Sequence, residues 1–140
     1  MDRSALYTFM KKARYGVVSS LSANATPESA LVGIAITPDL EIVFDTDKTS
    51  RKYPNLRRHP ACSVVLWWGG EQTVQVESLA IEPEGEERER YRGAYFEAWP
   101  DGRDRLAWPG IVHFVVRPRW IRCSDYDQSP PLIDVTELPD

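Results

Sequence analysis

The stretch Val43-Phe44-Asp45-Thr46-Asp47-Lys48-Thr49-Ser50-Arg51-Lys52 changes character halfway along. Apolar residues end at Phe44, and hydroxyls and cations follow directly, just ahead of Pro54. Proline fits the first turn of a helix, so Arg51 and Lys52 fall at a helix start or immediately before it. Cations there are unfavourable by a few tenths to about 1 kcal/mol unless an anion neutralises them. A phosphate would reverse the sign, because backbone N–H groups, the Ser50 hydroxyl, a guanidinium and an ammonium could converge on it. The alternative is that Arg51 and Lys52 are solvated surface residues, and local pattern alone leaves both readings open. The glycines of a Walker loop are absent, and no Gly-x-Gly-x-x-Gly occurs in the chain.

Upstream, Leu40–Phe44 reads as a strand behind the turn Thr37-Pro38-Asp39. Tyr15–Leu21 and Ser29–Ile36 read as two more strands, separated by the turn-prone Ser22–Pro27. Asp2–Ala13 carries Ala5, Leu6, Phe9, Met10 and Ala13 at helical spacing, with Asp2 or Ser4 as a cap. Downstream, a short helix ends near His59-Pro60, and Ala61–Trp67 and Thr73–Ile81 are strands joined by a Gly69-Gly70 turn. Glu84–Trp99 reads as a helix with Tyr91, Tyr95 and Trp99 one turn apart. Glu84/Arg88 and Glu86/Arg90 form i,i+4 pairs on its wet face, and Pro100-Asp101-Gly102 stops it. Ile111–Cys123 is a long last strand, and the tail with Ser129-Pro130-Pro131 is irregular. Six strands with short turns predict one mainly β domain over residues 1–140, an antiparallel barrel with flanking helices, closed so that no edge is left bare. A doubly wound α/β sheet is disfavoured, since most connections are too short for a helical crossover.

Composition narrows the function. Seventeen basic against 21 acidic residues give a net charge of −4, which disfavours a general nucleic-acid binder. No apolar run approaches the roughly 20 residues that span a bilayer, and the N-terminus lacks a signal-peptide core, so a cytoplasmic address is expected. Cys62 and Cys123 fit no CxxC pattern and fall in strands, where a free cysteine behaves as a small buried hydrophobe. With only His59 and His113 besides, no metal site is expected. His113 is expected to be a strand residue with a satisfied hydrogen bond, and His59 a helix-end cation favoured by the dipole.

The run Val43-Phe44-Asp45-Thr46, Ser50-Arg51-Lys52, Asn55-Leu56, His59-Pro60 and Ser63-Val64-Val65-Leu66 resembles the signature of the pyridoxamine 5′-phosphate oxidase-like, FMN-binding split-barrel superfamily. The order of elements matches from the first helix to the last strand. In such proteins the barrel forms a homodimer, with FMN in clefts between subunits. The resemblance implies a six-stranded split barrel of Greek-key type and an FMN-dependent oxidoreductase with a small-molecule substrate. It implies that Ser50, Arg51 and Lys52 hold the phosphate, and that Thr46 and the Asp45 main chain approach the ribityl chain or ring. Leu31, Val32 and Gly33 would line the isoalloxazine through their backbone, and Gln75 would contact the flavin. Without the resemblance, Gln75 is an outward strand residue. Trp120 occupies the region where relatives reach toward the partner's flavin; the other reading is a tryptophan packed in the barrel. Trp67 and Trp68 point to opposite faces, so one fills the barrel and the other lies under a helix, in an interface or near a flavin.

The resemblance stops short of the vitamin-forming oxidase. Its substrate-binding lysine in the second strand corresponds to Ala35 here, and its Arg-x-His corresponds to Arg119–Arg122, which holds no histidine. Two alternatives stand beside an FMN oxidoreductase: a reductase using the related deazaflavin coenzyme, and a non-enzymatic flavin-binding or redox-sensing module. The flavin itself carries the redox chemistry, so no catalytic triad is required, and none is found.

Overall fold

Asp2 starts the first helix by accepting the Ala5 N–H at 2.8 Å. That helix, α1 (Arg3–Met10), then buries Leu6, Phe9 and Met10. It ends before the expected Ala13, which is nevertheless buried. A computed structural model describes residues 1–139; Asp140, the last residue of the expected domain, lies outside the described residues. After α1 come β1 (Tyr15–Leu21), β2 (Pro27–Gly33), β3 (Ala35–Ile36), β4 (Ile42–Asp47), α2 (Lys52–Arg58), β5 (Ala61–Trp67) and β6 (Gln72–Ile81). Then follow α3 (Gly85–Ala98), a 3-10 helix (Pro100–Ala107), β7 (Ile111–Asp125) and β8 (Leu132–Glu137).

Every pairing is antiparallel, and the strands run in the order β2-β1-β5-β6-β7-β4-β3, with β8 added on β7. The two ends of this path are neighbours in sequence, because β2 stops at Gly33 and β3 starts at Ala35. The strand expected over Ser29–Ile36 is therefore broken at Ile34: its first part pairs with β1 and its second with β4. Backbone groups at such a break must find other partners. The Ile34 N–H donates to the Arg14 carbonyl at 3.0 Å, and its carbonyl accepts from Trp99 Nε1 at 2.9 Å. Counting the broken strand once gives the expected six-stranded ring, closed through a kink and crossed in Greek-key fashion by β1–β5 and β4–β7.

Two elements differ from the sequence reading. The tail is not wholly irregular, since β8 pairs with β7 from Leu132 to Glu137. Its apolar residues Leu132, Ile133 and Val135 are exposed while Asp134 and Thr136 are half-buried, so no buried apolar face marks it as a strand. The halt after α3 is a 3-10 helix rather than a plain stop. The expected Glu84/Arg88 and Glu86/Arg90 pairs give way to other contacts: Arg88 and Arg92 pair with Glu89, and Arg90 lies over the Tyr91 ring at 4.5 Å.

The core has two parts. Inside the barrel, Phe44 and Phe114 stack at 5.7 Å, and Trp68 meets Phe9 of α1 edge-on at 4.9 Å. On the outside of β4 and β7, Val43, Val115 and Ala35 pack under Tyr91, Tyr95 and Phe96 of α3. Phe114→Ala should cost about 3–5 kcal/mol by leaving a cavity in the barrel. Chemical denaturation reads this as a lowered midpoint; an unchanged midpoint would mean the interior is not close-packed.

Candidate functional site

The turn after β4 is built by Asp47. Its Oδ1 accepts from both the backbone N–H and the hydroxyl of Thr49, at 2.9 and 2.8 Å, and these bonds hold its carboxyl below the usual carboxylate range. Lys48 N–H donates to the Gly110 carbonyl at 2.8 Å, tying the turn to the start of β7. Along β4, Ile42 and Phe44 point into the barrel, so Thr46 does as well, and Asp45 points out toward α3. The Thr46 hydroxyl lies 3.0 Å from that of Ser50, and Lys52 follows as the first residue of α2.

Between this turn, β2 and the end of α3 lies a cleft of about 330 Å³, lined by Leu31, Val32, Gly33, Asp45, Lys52, Tyr15, Tyr95, Trp99, Asp101 and Arg105. Its size is at the small end of ligand pockets. Trp99 walls one end. A Cβ at Gly33 would come 2.9 Å from the indole, so only glycine lets the ring lie flat on that strand. The Arg14 guanidinium lies over the indole at 4.1 Å, and Tyr15 meets it edge-on at 5.3 Å.

The charges in the cleft are unequal in their partners. Arg105 donates to Asp45 at 2.7 Å, to Asp101 at 3.0 Å and to the Tyr95 hydroxyl at 3.2 Å, so it is largely neutralised where it stands. Burial, helped by Asp45, pushes the Tyr95 phenol above its usual range. Lys52 makes no ion pair among the described residues, and partial burial pulls its ammonium below the usual lysine range despite the attraction of Asp45. A partly desolvated cation without an ion pair is suited to an anion.

The structure thus brings Leu31, Val32, Gly33, Asp45 and Lys52 to one cleft, with Ser50 and Thr46 bonded to each other at its turn. Arg51 stands apart, its guanidinium 3.0 Å from Glu28 of β2. Gln75 and Trp120 lie outside the barrel on β6 and β7. Trp120 is half-exposed, so it does not pack inside the barrel. Trp67 is also outside, 58% exposed, while Trp68 packs against the core as one of the pair was expected to. Cys62 and Cys123 are free and buried, as expected, and burial pushes the Cys123 thiol up to about 12. His59 caps the C-terminal end of α2, and the Ala61 N–H lies 3.3 Å from its Nδ1. Sequence reasoning missed Tyr15, Asp101 and Arg105. The spacing of Tyr95 and Trp99 was the one available signal, whereas Arg105 arrives on the 3-10 helix that nothing in the pattern announced. Among the described residues, no group of three His, Cys, Asp or Glu side chains is placed to hold a metal ion.

Residues 3–123 match the family described as Pyridoxamine 5′-phosphate oxidase. A pyridoxine/pyridoxamine 5′-phosphate oxidase of Acaryochloris marina (strain MBIC 11017) is 28% identical over 103 residues, covering 73% of this chain and 45% of its own. The chain thus spans less than half the length of that relative. Among solved structures, a heme binding protein from Mycobacterium smegmatis superposes with a TM-score of 0.83 at 17% identity, over 96% of this chain and 57% of that one. A pyridoxamine 5′-phosphate oxidase-related, FMN binding protein from Nostoc punctiforme superposes with a TM-score of 0.68 at 11% identity, over 99% of this chain and 96% of that one. At these identities the likeness is one of fold.

Beneath α3, beside the cleft, His113 of β7 lies opposite Asp45 and is 2% exposed. Its Nδ1 accepts from Arg92 Nε at 3.2 Å, as a satisfied strand histidine should, but its Nε2 is buried with no partner among the described residues. Burial lowers its pKa to about 4, with Arg92 and Arg105 acting in the same direction and Asp45 and Glu89 opposing. The unfolded chain therefore takes up a proton near pH 6.5 that the folded protein refuses until about pH 4. This contribution to stability is intact above pH 6.5 and drains away as the pH falls toward 4. Urea midpoints measured across that range should fall more steeply for the parent than for His113→Gln; parallel profiles would contradict the assignment.

Proposed function

The chain belongs to the pyridoxamine 5′-phosphate oxidase family, and on that premise we propose that its cleft holds FMN between two copies of the chain, which act as an oxidoreductase on a small molecule. The observation that carries this is Lys52, partly buried in the lining of the cleft with no ion pair among the described residues. Bound there, FMN would supply the redox chemistry. Lys52 and Ser50 would hold its phosphate, Thr46 and the Asp45 main chain its ribityl region, and the Leu31–Gly33 backbone its ring. Tyr95 and Trp99 wall the cleft.

Two observations favour FMN over the alternatives. A deazaflavin coenzyme with a longer anionic tail would want additional cations, but Arg105 is already held by two carboxylates. Heme calls for an iron ligand, and the cleft lining offers only the phenols of Tyr15 and Tyr95, the latter already bonded to Asp45 and Arg105. Oxidation of pyridoxamine phosphate itself is disfavoured by Ala35, which stands where that enzyme has its substrate lysine. A cytoplasmic location is part of the same proposal, supported by two unpaired buried cysteines. No helix among the described residues is long and apolar enough to cross a membrane.

The outer face of the sheet supports the reading of a second copy. Leu31, Val17, Val65 and Gln75 lie directly opposite one another across β2, β1, β5 and β6 and so share that face. Leu31 is 68% and Val65 44% exposed, and Val135 of β8 continues the row beyond Arg122. An apolar face of this kind is a site of association, and Gln75 and Trp120, remote from their own cleft, would reach a flavin only across it.

Two measurements test the proposal. Lys52→Ala should weaken FMN binding by about 1.5–3 kcal/mol, roughly ten- to a hundredfold, while riboflavin, which lacks the phosphate, changes little. Equal FMN affinity in calorimetric titration would remove the assignment. Val65→Asp should turn a dimer into a folded monomer with depleted flavin; sedimentation of the parent as a monomer would refute the shared site.

A further inference from the structure

Arg51 was expected to meet the phosphate together with Lys52, yet it is absent from the cleft lining. Its side chain, 74% exposed, runs instead to Glu28, where Nη1 lies 3.0 Å from Oε2. Glu28 is the better anchored of the two. Its side chain is only 18% exposed, and its other oxygen accepts from Asn55 Nδ2 at 2.8 Å. Asn55 is 4% exposed on α2 and gives a further bond to the Ser20 hydroxyl at 3.1 Å. The carboxylate is thus fixed to the sheet through a buried amide, while the arginine is a long and mostly solvated arm. When this pair opens, the arm moves and the carboxylate stays.

Resting on the reading of the cleft as an FMN site, we propose that Glu28 is a built-in competitor for Arg51, which FMN binding draws from the carboxylate to the phosphate. Glu28 lowers the affinity for phosphate-bearing flavins by occupying the guanidinium that would otherwise be free. Riboflavin, with no phosphate, does not call on Arg51 and is indifferent to the pair. Glu28 therefore sets how strongly the protein discriminates FMN from riboflavin. The effect is modest, since exposed ion pairs contribute little.

Glu28→Gln tests this with little change of shape, because the amide oxygen still accepts from Asn55. Calorimetric titration of the purified apoprotein should show FMN binding tightened roughly two- to fivefold. Riboflavin affinity should be unchanged, and so should the urea midpoint. In an Arg51→Met background the same substitution should lose most of its effect, since the competition runs through that side chain. FMN affinity unchanged or weakened by Glu28→Gln would make Glu28 a brace for α2 and overturn the proposal, as would an equal shift for riboflavin. A parent protein with no FMN affinity would overturn the flavin reading as well.

Discussion

One strand has to serve two neighbours, and the rest of the structure depends on how it breaks. Residues 27–33 pair with β1 and residues 35–36 with β4, so the ring closes only if the backbone at Ile34 leaves both ladders. The freed groups are taken by the Arg14 carbonyl on one side and the Trp99 indole on the other. Trp99 can reach only because Gly33 offers no side chain to meet it. The end of α3 is thereby fixed against the kink, and Leu31–Gly33 is left as a bare lip over a cleft. Barrel closure and cleft formation are one event in this chain.

Within that cleft the electrostatics single out one group. Asp45, Asp101 and Arg105 compensate one another through hydrogen bonds of 2.7–3.0 Å, and Arg51 is compensated by Glu28. Lys52 alone is both partly desolvated and left without an ion pair among the described residues. A half-buried cation costs free energy in the empty protein, and an incoming phosphate offsets that cost at once. The same logic makes the nearby Ser50–Thr46 pair informative, because two hydroxyls bonded only to each other among the described residues keep acceptor and donor capacity in reserve.

Much of this was legible in the residues, for reasons that differ from element to element. β1 and β5 fall at their expected bounds because both alternate inside and outside over seven residues, a period no helix imitates. The kink at Ile34 was hidden because apolar residues continue across it, and nothing local distinguishes one partner strand from two. β8 and the 3-10 helix were missed for a related reason: each owes its place to tertiary contacts, β8 to the edge of β7 and the 3-10 helix to Arg105–Asp45 and to Gly102 under Tyr95 and Phe96. At the site, Lys52 and the Leu31–Gly33 strand line one cleft. Arg51 does not join them, because a cation's partner depends on which acid the fold brings near it, and Glu28 lies 23 positions away in sequence.

The account turns on where a flavin's phosphate sits. A crystal structure of the protein grown with FMN should place phosphate oxygens about 3 Å from Lys52 Nζ and the Ser50 hydroxyl, with the ring lying on Leu31–Gly33. A flavin bound elsewhere, or a cleft that stays empty at saturating FMN, would contradict it.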